Sequence, residues 1–202
     1  MGTRGVYGFY KDNTDKLTYN HLDSYPSWLG NQIVNFVKST SIEEMNQIFD
    51  KIILVNENDK PTTEQIKDCE KFTNLGVSSQ STNDWYCLLR EAQGDLNVYK
   101  SDLKYMIDGK EFIKDSLWCE WGYVINLSSN ILEIYKGSQR KRNSKNNRYK
   151  DDTPFITQPY YFIELSGKTR KIPKKEFYSC EIIQTFPLNN IPDNWLNILQ
   201  SY

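Results

Sequence analysis

Leu117, Cys119, Trp121, Tyr123, Ile125 and Leu127 put an apolar side chain at every second position of one stretch. A β-strand lines up such a period along one face, which a helix cannot do. The stretch therefore asks for a sheet with a buried side, and the rest of the chain must supply its neighbours. Ser128-Ser129-Asn130 reads as the turn that follows, and Ile131 to Tyr135 as the returning strand. Tyr160 to Leu165 reads as a third strand. Phe177 to Phe186 reads as a fourth, with Tyr178, Cys180, Ile182 and Phe186 on one face. Pro187 and Pro192 end the sheet, and Trp195, Leu196 and Leu199 mark a short closing helix.

The opening segment has the same character. Gly5 to Tyr10 is aromatic and β-prone, Asp12-Asn13-Thr14-Asp15 supplies turn chemistry, and Leu17-Thr18-Tyr19 resumes the alternation. A lone hairpin is marginal in water, so this one is expected to join the C-terminal strands. Between them the period changes to that of helices. Trp28, Leu29, Ile33, Phe36 and Val37 fall on one stripe after Pro26. Ser41 to Glu44 matches a capping box, and Ile42, Met45, Ile48 and Phe49 follow it. Ile52 to Val55 reads as a short strand. Thr62 starts a third helix with Ile66, Cys69 and Phe72 inward, and Trp85, Leu88, Leu89 and Ala92 a fourth, stopped by Gly94. The expected fold class is α+β: one domain over residues 1–202, with a largely antiparallel sheet and a helical block at about 26–93.

Composition narrows the function classes. Aromatics make up 14% of the 202 residues and alanine is nearly absent, which disfavours a simple helical bundle. Lysine and arginine total 25 against 26 acids, so the chain as a whole has neither the basic excess of a nucleic-acid coat nor the acidity of a DNA mimic. No apolar run approaches the roughly 20 residues of a membrane span. The first residues lack the apolar stretch of a secretory signal, and Val6 stands where a myristoylation site needs Ser or Thr. Cys69, Cys87, Cys119 and Cys180 are scattered and His21 is the only histidine, so neither a metal site nor a cofactor is expected. The cysteines read as reduced, buried thiols. A Cys119–His21 dyad would require their strands to be neighbours. The P-loop, GxGxxG, HExxH and EF-hand patterns are missing, and no residue is assigned a catalytic role.

Two clusters remain as candidate sites. A hairpin sets its outer ends side by side, so Arg4 can meet His21 or Asp23, with Asn20 and Tyr25 beside them. That gathers a cation, an imidazole, a carboxylate and a phenol: a ligand pocket, or else an Arg–Asp pair with a helix cap. The second cluster is the run from 136 to 150, where Lys136, Arg140, Lys141, Arg142, Lys145, Arg148 and Lys150 occur without an acid. It suits contact with a partner or a nucleic acid, or else forms a solvated, mobile loop. A second basic stretch, Lys168 to Lys175, extends it if the two loops share a sheet end.

Gly2-Thr3-Arg4-Gly5-Val6-Tyr7-Gly8-Phe9, the stretch from Tyr19 to Gly30 (YNHLDSYPSWLG) and the stretch from Asp115 to Leu127 (DSLWCEWGYVINL) together resemble an uncharacterised family of accessory proteins from tailed phages and prophages of Gram-positive bacteria. The resemblance implies a phage origin and brings no reaction with it. A small residue at position 2, a hairpin, and Asn20-His21-Leu22-Asp23 are also similar to the start of N-terminal-nucleophile hydrolases of the choloylglycine type. That family places a catalytic cysteine after Met; Gly2 here offers no nucleophile, which implies that such catalysis is lost.

The expectation is a phage protein of the host bacterial cytoplasm, without membrane attachment, that acts by binding. Its partner would be a bacterial defence protein or nucleoprotein complex, CRISPR-Cas among the candidates, with nucleic acid reached through the 136–150 loop. The alternative is a pocket protein that uses Arg4, His21 and Asp23, either a sponge for a nucleotide signal or a degenerate hydrolase. A passive virion subunit ranks below both. The oligomeric state is left open.

Overall fold

The computed structural model describes residues 2–101, 103–145, 147–151, 153–158, 160–163 and 169–199. Strands β1 (Gly5–Lys11) and β2 (Thr14–Asn20) form the first hairpin. Asp12 and Asn13 both take positive φ, 48° and 61°, as a two-residue turn matched to strand twist requires. Next come one wide turn at Pro26–Gly30, α1 (Asn31–Lys38), α2 (Ile42–Lys51), β3 (Ile53–Val55), α3 (Thr63–Asp68), α4 (Trp85–Leu88) and β4 (Tyr105–Ile107). The second half holds β5 (Trp121–Asn126), β6 (Ile131–Lys136), β7 (Phe155–Ile156), β8 (Tyr160–Ile163), β9 (Thr169–Ile172), β10 (Glu176–Phe177), β11 (Glu181–Pro187) and α5 (Trp195–Leu199).

The fold is α+β. Five strands form the main sheet in the order β11-β6-β5-β1-β2. Every neighbour is antiparallel except β1 and β5, which run parallel with Gly5 beside Trp121. The opening hairpin thus joins the C-terminal strands, as expected from the instability of a hairpin alone.

Both sheet faces are covered. On one, Tyr7, Phe9, Tyr123, Ile125 and Leu132 pack with Ile33, Phe36, Met45 and Trp85 from the helical block. Phe9 and Phe36 meet edge to face at 6.1 Å, worth roughly 0.5–1.5 kcal/mol beyond burial. On the other, Val6, Leu17, Val124 and Tyr135 pack with Ile113, Cys119, Tyr149 and Cys180. Lys16 fastens the hairpin to α2: its ammonium donates to the Phe49 and Ile52 carbonyls, both at 2.6 Å, satisfying a helix C-terminus.

Several elements depart from the sequence expectation. The alternation from 117 to 127 is a strand only from Trp121; Leu117 lies in a turn, and Gly122 and Val124 are as buried as Tyr123, because β5 is the central strand. The third and fourth strands are not as drawn. Tyr160–Ile163 pairs with β9 in a separate ribbon, outside the main sheet. The stretch 177–186 breaks into β10 and β11, and an irregularity between Ile182 and Gln184 shifts the register, so Ile182 and Phe186 reach different cores. Trp28, assigned to a buried stripe, is exposed. Thr62 makes the full capping box with Gln65, and Ser41 Oγ accepts the Glu44 N–H at 3.1 Å. Among the described residues, no helix is long and apolar enough to cross a membrane.

Candidate functional site

The register Gly5↔Asn20 and Gly5↔Trp121 brings three segments to one sheet end: residues 2–4, residues 21–25 and the approach to β5. They are laced together. The Ser24 N–H donates to the Thr3 carbonyl at 3.1 Å, the Glu120 N–H to the Arg4 carbonyl at 2.9 Å, and the Tyr123 hydroxyl to the Ser24 carbonyl at 3.0 Å. Gly5 has no room for a side chain, since a Cβ would stand 2.6 Å from the Trp121 carbonyl oxygen.

The five residues expected to form a pocket take different roles. Asn20 is buried and clamps the next loop through the Leu22 carbonyl and Ser24 Oγ. Arg4 lies 5.2 Å from the centre of the Trp118 ring. His21 Nδ1 is 2.9 Å from the Tyr19 hydroxyl, and its backbone N–H donates to Gln93 Oε1 at 3.1 Å. Partial burial, then the charges of Arg90 and Arg4, hold the imidazole below its ordinary pKa. Asp23 takes φ 55° and is exposed, with its carbonyl accepting the Leu29 N–H. Tyr25 points to solvent as the residue before the wide turn. Arg4 and His21 thus share an electrostatic environment. A cleft of about 260 Å³ takes Asn20 and Asp23 into its wall, with Arg90, Gln93 and Asp95, but not Arg4, His21 or Tyr25.

This end also carries a rim of exposed apolar side chains: Trp28 at 63% exposure, Trp118 at 51%, Leu22 at 46% and Tyr25 at 45%. In the sequence Trp118 falls at an outward position between Leu117 and Cys119, and a large ring there was the signal available, although the structure places it in a turn before β5. A second cavity, of about 550 Å³, opens beside β2 and is walled by Tyr19, Tyr86, Phe112, Glu57, Asp108, Glu111 and Asp115. Sequence reasoning missed it because its walls come from four segments far apart in the chain.

The basic loop is pinned rather than free. Asn143 Nδ2 donates to the Ser179 carbonyl and Glu181, Ser144 donates to Glu181 through both its N–H and its hydroxyl, and Asn147 Nδ2 donates to the Cys180 carbonyl at 2.8 Å. Burial alone would raise the Glu181 carboxyl, but these donors hold it below the usual range. Arg148 turns inward and makes a bidentate pair with buried Glu133, between the rings of Tyr10 and Tyr149. Lys136 lies over Trp121 and exposed Arg140 over Phe177. Lys141, Arg142 and Lys145 are exposed. Lys168 lies outside the described residues, while Lys171 and Lys174 are exposed.

All four cysteines are free and buried. Burial, then the Cys180 contact, pushes the Cys119 thiol well above its ordinary pKa. The strand order separates β5 from β2 by β1, so the neighbourhood a Cys119–His21 dyad requires does not exist. No group of three or more His, Cys, Asp or Glu side chains among the described residues converges as metal ligands do. Comparison of the chain with family models, curated proteins and solved structures gives no match.

Proposed function

We propose that this chain is a phage-encoded protein of the host cytoplasm that docks on a component of bacterial immunity and blocks it. The observation that carries the reading is the exposed rim of Trp28, Trp118, Leu22 and Tyr25, with Arg4 over the Trp118 ring, on a sheet end locked by main-chain hydrogen bonds. Exposed Trp, Tyr and Arg dominate the energetics of protein interfaces, and a rigid base lowers the entropy lost on docking. The thiols are buried and the sole imidazole is tied to a tyrosine, which supports occupancy over bond breaking. Lys141, Arg142 and Lys145 remain free to meet phosphates if the target is a nucleoprotein complex such as CRISPR-Cas.

Plating efficiency tests the reading. A phage restricted by a defence-positive host should plate normally when this chain is expressed, and the double variant Trp28→Ala/Trp118→Ala should lose that effect at equal protein level. Wild-type activity in the double variant would overturn the rim assignment.

A further inference from the structure

We infer that the 550 Å³ cavity beside β2 is a binding site for an organic cation, an alkylammonium or guanidinium group. Its walls combine the two features that such a group needs. The first is aromatic surface: Tyr19 and Phe112 meet edge to face at 4.9 Å and Tyr86 completes the wall. Ring faces attract a cation once water is excluded. The second is negative charge from Glu57, Asp108, Glu111 and Asp115, with no lysine or arginine among the lining residues.

The charge is only partly spent. Lys110 pairs with Asp108 at 3.4 Å and Lys114 with Glu111 at 2.8 Å, both near the surface. Glu57 and Asp115 have no ion pair among the described residues, and Asp115 Oδ1 is buried without a hydrogen-bond partner. Arg90 lies 5.8 Å from the Tyr86 ring, but it is bound to Gln93 Oε1 at 2.6 Å and is not in the wall. The carboxylates are also too dispersed to converge on a metal ion. Spread charge over ring surfaces matches a bulky cation with apolar substituents, and it repels the phosphates of a nucleotide. The cavity volume is that of an ordinary small-ligand site. This site is separate from the rim and stands whether or not the rim docks on a partner.

The test is NMR titration of the full chain, following the Tyr19 and Tyr86 ring signals, with spermidine, with a blocked arginine peptide and with AMP as the anionic control. Saturable shifts are expected with spermidine or the peptide, weakening at high salt, and none with AMP. Spermidine alone binding identifies a free amine as the ligand; the peptide alone binding identifies a protein's basic side chain. Glu57→Gln, on an exposed residue, and Tyr86→Leu should each weaken binding by about tenfold, near 1.4 kcal/mol. Absence of saturable shifts with both cations, or equal shifts with AMP, would overturn the inference. So would wild-type affinity in both variants.

Discussion

The Tyr19 hydroxyl lies 2.9 Å from His21 Nδ1, and the two rings meet edge to face at 5.9 Å. Tyr86 approaches the same imidazole at 6.3 Å, and Gln93 accepts its backbone N–H. The single histidine therefore joins β2 to the segment after α4. Nδ1 is the ring nitrogen engaged in that link.

His21 should titrate below the ordinary histidine value, because burial and the charges of Arg90 and Arg4 disfavour its protonated form. The unfolded chain then binds the proton more readily than the folded one. The contribution of His21 to stability is full above about pH 6.5 and declines as pH falls from there toward its folded-state pKa. Proton NMR of the one imidazole should show the lowered midpoint, and His21→Gln should flatten the pH dependence of urea unfolding in that window.

Arg148→Ala should destabilise strongly, by about 3–5 kcal/mol, because it leaves Glu133 buried and unpaired. Glu133 is 5% exposed and also accepts hydrogen bonds from Asn126 and Tyr135. Arg142→Ala, on an exposed side chain of the same loop, should stay within about 0.5 kcal/mol. Urea unfolding of both variants measures the contrast, and equal effects would contradict the assignment of Arg148 to the core.

Gly8→Ala should cost about 2 kcal/mol or more. Gly8 adopts φ 146°, and a Cβ there would run into the Lys16 carbonyl oxygen of the paired strand. Thermal unfolding checks this; an unchanged midpoint would mean that the hairpin can relax.

The four thiols should resist a thiol reagent such as DTNB until the chain unfolds. Burial pushes Cys69 up to about 11 and Cys119 well above its ordinary value, so little thiolate exists at neutral pH. Rapid labelling of the native protein would contradict this.

Much of this architecture was legible in residue patterns. The hairpin announced itself through Asp12-Asn13, the third helix through Thr62, and the closing helix through Trp195 and Leu199. The misreadings share a cause. Alternation states which residues can share a face, not how many faces are buried, so central β5 looked one-sided. A shift near Ile183 moved half of β11 onto the other core without any mark in the period. The site was less legible. Arg4 and His21 do come into electrostatic range, but Asn20 went to a structural clamp and Arg148 to a buried pair. Charge in sequence does not reveal a buried partner such as Glu133. Nor does any local pattern link Tyr19, Glu57, Tyr86 and Phe112, which only the fold brings to one cavity.

In the proposed function the chain acts by occupying its target. Titrating the purified chain into the immune effector implicated by the plating assay tests this most directly. Effector activity should fall in proportion to added chain and reach its floor near equimolar amounts. Inactivation of many effector molecules by each chain would contradict it.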